Sequence, residues 1–136
     1  MNKSLITNSF KIKQNSKGYL LVTFSEVLES DQEIILQTKL IKDSILRHFS
    51  KDKKKKFKIL INIKSTGEKT KNLPEEAQSI YRYLSRHRQV KAVAVVGPKK
   101  IVPSIFKFIL NTIFNTWYID YFYSEDNAME WLDRRN

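Results

Sequence analysis

The segment Val90-Lys91-Ala92-Val93-Ala94-Val95-Val96 is a nearly continuous run of β-branched residues and alanine. Its apolar side chains fall on both parities, so a strand made from it has no face to turn to water. Such a strand needs cover above and below, which points to an interior position in a parallel sheet with helices packed on it. The rest of the chain has to supply that cover. Gly97-Pro98 stops the run.

The flanking segments read accordingly. Phe10 and Ile12 alternate with Lys11 and Lys13, the period of a half-buried strand. Asn15-Ser16-Lys17-Gly18 supplies turn chemistry, and residues 19–24 return as the second strand of a hairpin. Ser30 with Glu33 three residues on forms a capping box for a helix to about Phe49, whose Ile34, Thr38, Ile41, Ile45 and Phe49 share one face. After a basic linker, Phe57, Ile59, Ile61 and Ile63 alternate as a third strand. Pro74 with Glu75 and Glu76 opens a second helix that presents Ala77, Ile80, Tyr81 and Leu84. A third helix spans about residues 100–115 and a last strand residues 118–123. Ser124 caps a short final helix with Ala128, Trp131 and Leu132 inward. The order β-β-α-β-α-β-α-β-α predicts a single α/β domain over residues 1–136. Its sheet is mixed, mainly parallel and five-stranded, with four helices, and residues 1–8 are set aside as flexible.

Composition narrows the function classes. With no cysteine, the chain has no disulfides, thiolate metal sites or thiol nucleophiles, which fits a reducing, cytoplasmic setting. The first residues lack the apolar core of a signal peptide, and no apolar run is long enough to span a bilayer. The net charge of +11 implies attraction to phosphate-bearing or acidic partners, although lysine-rich surfaces also serve only to solubilise. Three separated glycines leave no phosphate-binding loop, and His48 and His87 sit at helix ends beside cations, poor ground for a metal. No metal, cofactor or catalytic residue is therefore expected, and the chain reads as a non-enzymatic binding module. Nucleic acid is disfavoured as a partner because the aromatics fall at core positions and form no stacking platform.

The third helix is the unusual element. At roughly 100° per residue, Ser104, Lys107, Asn111 and Asn115 form one narrow polar stripe, and an apolar arc of about 240° fills the remainder. Ile109, Val102 and Ile113 lie at its centre, toward the sheet. Phe108 and Ile101 lie on one flank, Leu110 and Phe114 on the other. The candidate apolar surface is Ile101, Ile105, Phe106, Phe108, Leu110 and Phe114, with Trp117 beyond them. Leaving large side chains wet forfeits roughly 1.5–3 kcal/mol each. Cover from the rest of the domain, a homodimer, an apolar or lipid-like ligand and a membrane interface all stay open. Lys64, Lys69, Lys71, Lys99 and Lys100 cluster at the edge where this helix begins and could draw an anionic membrane surface or another acidic partner.

The element order and the ending Tyr123-Ser124-Glu125-Asp126-Asn127-Ala128-Met129-Glu130-Trp131-Leu132 resemble the SpoIIAA-like branch of the STAS superfamily, in which a last strand runs into an acidic turn, an alanine and a Trp-Leu pair. The strand 90–96 before a hydrophobic helix is similar too. The resemblance implies a STAS-like fold. It also implies a non-enzymatic role in binding apolar ligands or membrane surfaces, as in the similar CRAL-TRIO lipid carriers. A second implication is a phospho-regulated protein partner switch of the anti-anti-sigma type. That switch places Asp-Ser-Ser/Thr-Gly at the start of the second helix. Here the matching region is Asn62-Ile63-Lys64-Ser65-Thr66-Gly67, well before Pro74, with Ser65 and Thr66 as the candidate phosphoacceptors.

Overall fold

The computed structural model describes residues 3–69, 73–100, 103–114 and 116–136, with the side chains of residues 3, 103–106, 113 and 114 outside that description. A five-stranded sheet has the order β1-β2-β3-β4-β5, with β1 (Phe10–Gln14), β2 (Leu20–Phe24), β3 (Phe57–Asn62), β4 (Val90–Val96) and β5 (Ile119–Phe122). Only β1 and β2 are antiparallel; each later strand pairs parallel with the one before it. The helices are α1 (Lys3–Thr7), α2 (Asp31–Lys51), α3 (Glu75–Ser85), α4 (Pro103–Phe114) and α5 (Glu125–Asp133). Among the described residues there are five, not four, because α1 precedes the hairpin. At five residues it is too short to show a helical period, yet its Ile6 is fully buried, in a cluster with Leu28, Ile34 and Ala77.

The two sides of β4 explain the layering. Val93 and Val95 join Leu20, Val22, Phe57, Ile59 and Ile119 on one face, against Ile41, Ile45 and Phe49 of α2, Leu84 of α3 and Ile109 of α4. Ala92, Ala94 and Val96 join Leu60 on the other, against Ala128 and Leu132 of α5. Three successive crossovers step the same way across the sheet, and their common right-handedness puts α2, α3 and α4 together. The alanines of β4 let α5 lie close, and the Trp131 ring packs 5.5 Å from Phe122 to close that side. Trp131 and Leu132 are thus packing residues.

Local signals behave as their chemistry requires. Ser30 and Glu33 form the reciprocal capping box of α2, and the Ser124 hydroxyl accepts from the Asn127 amide at the start of α5. Gly18, at φ +83°, makes the hairpin turn that a side chain would strain. Buried Gln89 was not legible as a structural residue. Its Nε2 lies 3.1, 2.9 and 3.1 Å from the carbonyls of Phe49, Asp52 and Lys55, tying the end of α2 and the lysine-rich turn to the start of β4. His87 stacks on Phe49 at 4.6 Å, and burial with nearby Arg88 lowers its pKa.

Gly97 has a different purpose. The Tyr121 hydroxyl crosses the end of β4 to donate to the Pro98 carbonyl at 2.6 Å, and a Cβ on Gly97 would overlap that hydroxyl. Gly97→Ala should therefore cost about 1–3 kcal/mol by overpacking, read by urea denaturation. Combined with Tyr121→Phe, which removes the obstructing oxygen, the loss should be smaller than the two single losses added. Strict additivity would show that the contact does not set the glycine requirement.

Candidate functional site

An apolar cavity of about 180 Å³ lies between the sheet and the three-helix layer. Val22, Ile59, Ile61, Val93, Val95 and Ile119 line it from the sheet. Ile34, Ile41 and Ile45 of α2, Tyr81 and Leu84 of α3, and Phe108 and Ile109 of α4 line it from the helices. Leu28, Ile63, Thr66, Gly67 and Leu73 reach it from the loops beyond the carboxyl ends of β2 and β3. These positions follow from periodicity: strand residues of one parity meet helix residues of one stripe.

Several polar side chains on the wall are already bonded within the protein. The Gln37 amide donates to the Ser9 hydroxyl at 2.9 Å, the Ser85 hydroxyl to the Arg82 carbonyl at 2.9 Å, and the Thr112 hydroxyl to the Phe108 carbonyl at 2.8 Å. Loss of hydration raises the Tyr81 hydroxyl to about 12, against an opposing hydrogen bond with Thr38. What these side chains leave for an occupant is mainly hydrocarbon. An apolar cavity of about 150 Å³ is already enough to stay dry and accept benzene.

Phe108, Ser85 and Thr112 also border a second space, a groove of about 360 Å³ between α3 and α4. Its other walls are Gln78 and Arg82 on α3, Arg86 at its C-cap, and Lys107, Asn111 and Thr116 on or just after α4. The Arg82 guanidinium stands 5.8 Å from the Phe108 ring centre and bonds Glu75 at 3.0 Å.

The sequence-derived candidates separate into groups. Phe108 is half-buried on the cavity, Leu110 is half-buried, and Trp117 is 81% exposed with the Arg135 guanidinium 5.3 Å from its ring. Ile101 and the side chains of Ile105, Phe106 and Phe114 lie outside the described residues. Among the lysines, Lys64 donates to the Tyr123 carbonyl at 3.1 Å and Lys99 stands 5.9 Å from the Tyr123 ring, so both reach Tyr123. Lys69 and Lys100 are exposed, and Lys71 lies outside the described residues. Ser65 is exposed but Thr66 is only 5% exposed, and neither stands at the N-cap of α3, which is Pro74. That geometry does not favour a phospho-switch. Sequence reasoning missed the groove: Lys107 and Asn111 read as a polar stripe, and both are exposed, but they also line the groove beside α3. Their proximity to Phe108 on the helical wheel was the available signal.

The sheet, its one-sided trio of helices and the cavity between them define an α/β protein of the STAS type. The model of the SpoIIAA-like family matches residues 14–133, and the chain belongs to that family. Among solved structures, the chain is similar to an uncharacterized DUF3478-family protein with a SpoIIAA-like fold from Shewanella loihica PV-4. The two are 17% identical with a TM-score of 0.58, over 90% of this chain and 91% of that one, a likeness of fold alone. No curated protein sequence matches the chain. Among the described residues, no helix is long and apolar enough to cross a membrane.

Burial also raises Tyr121, with neighbouring Tyr123 adding to it, to about 12, and burial with Asp133 does the same to Tyr19. Alkaline titration at the tyrosinate absorbance should show a phase near pH 12 that shrinks in Tyr81→Phe. The native pKa exceeds the ordinary value of 10.0. The stability this burial contributes is therefore complete below pH 10 and lost as pH rises toward 12. A Tyr81→Phe variant with an unchanged phase would mean that water reaches the cavity wall.

Proposed function

We propose that this protein is a non-enzymatic carrier or sensor that holds an apolar, lipid-like molecule in the cavity between its sheet and α2, α3 and α4. The observation that carries this reading is the cavity itself, hydrocarbon-walled and about 180 Å³ in volume. A guest that fills the space takes apolar wall out of water, which stabilises the complex by roughly 25 cal/mol for each Å² covered. Membership of the SpoIIAA-like family agrees with a binding role and supplies no ligand. The polar wall groups bonded internally favour selection by size and apolarity over hydrogen-bonded readout.

The test is thermal stability and calorimetry with benzene and with octanol. Both should raise the Tm in proportion to occupancy, and binding should carry a negative heat-capacity change from buried apolar surface. Val95→Phe places a ring in the space and should weaken both guests by on the order of tenfold or more while the free protein stays folded. Val93→Leu gives a milder filling should the phenylalanine disturb the sheet. Folded wild-type protein that shows neither a Tm shift nor heat with either guest would end this reading.

A further inference from the structure

The geometry points to a more specific occupant: a single-chain amphiphile whose hydrocarbon tail lies in the cavity and whose anionic head sits in the groove between α3 and α4, held by Arg82, Arg86 and Lys107. This rests on the cavity being a binding site, and adds what stands at its side. The two spaces share Phe108, Ser85 and Thr112 as common wall, so a molecule leaving the hydrocarbon interior along α4 meets the groove next. The groove lining holds three cations and no carboxylate. Arg82 is partly offset by Glu75 at 3.0 Å, but among the described residues Arg86 and Lys107 have no ion-pair partner. Arginines near a helix C-terminus are accounted for by the helix dipole, which covers Arg82 and Arg86 at the end of α3. Lys107 is not accounted for in that way, since it lies inside α4, on the lining of the groove that also holds Arg82 and Arg86. Like charges gathered beside an apolar space lower their mutual repulsion when an anion binds. Guanidinium groups match the planar, two-oxygen edge of a carboxylate or phosphate. Gln78 and Asn111 line the same walls, the Gln78 amide already donating to the Leu73 carbonyl at 2.8 Å. The shared chemistry is an anionic head on an alkyl tail, carboxylate or phosphate monoester.

Calorimetry with octanol, octanoate and octyl phosphate on the full chain separates the parts. At low ionic strength one or both anions should bind on the order of tenfold tighter than octanol, as charge-assisted hydrogen bonds allow, and the tighter of the two identifies the head. The advantage should shrink as salt is raised, because the groups are partly exposed. Arg82→Gln, Arg86→Gln and Lys107→Gln combined should remove it while leaving octanol affinity in place. The salt series on wild-type protein serves if the triple variant does not fold. Octanol and both anions binding equally well, at every salt concentration, would overturn the head-group site and leave the cavity reading standing. Octanol failing to bind while an anion binds through the three cations alone would overturn the cavity reading instead, and the amphiphile with it.

Discussion

Burial of β4 on both faces fixes the sizes of side chain that its neighbours must meet. On the α5 side the strand offers Ala92, Ala94 and Val96, so Ala128 and Leu132 fit against small partners and one short helix suffices as a lid. On the opposite side Val93 and Val95 join the core shared with α2, α3 and α4. That face keeps a space between strands and helices, although interiors are normally packed to crystal-like density.

That space ends where α3 and α4 diverge. The α2–α3 pair is tied through Ile34, Ala77 and Tyr81 and through the Lys39–Glu76 pair at 3.8 Å. α4 reaches the common core through Ile109, and across the groove it meets α3 through the Arg82–Phe108 contact. Phe108 therefore separates hydrocarbon from a cationic trough. Phe108, on one flank of the broad apolar arc of α4, is accounted for by these two spaces.

Much of this was legible from the chain. The two-sided strand, the capping box at Ser30 and Glu33, the hairpin turn at Gly18 and the inward Ala128 and Leu132 each rest on chemistry local to a few residues. The mixed, mainly parallel sheet follows from their order. What was not legible depends on distances between elements. α1 is a single turn whose only signal is Ile6, and Gln89 is an unremarkable polar residue until the ends of α2 and the lysine turn arrive beside it. The groove depends on how α3 sits beside α4, which no periodicity encodes, and Lys107 reads only as part of a polar stripe because the groove belongs to neither helix alone.

The sheet runs β1 to β5 without a reversal. Parallel sheets whose order reverses open a crevice at the reversal, beyond the carboxyl ends of the strands, and ligands settle there. A monotonic order gives no such crevice. A guest held between strands and helices, as proposed, would approach between α3 and α4 or past the loops after β2 and β3, all of which line the cavity, and its exchange would depend on how far those elements part.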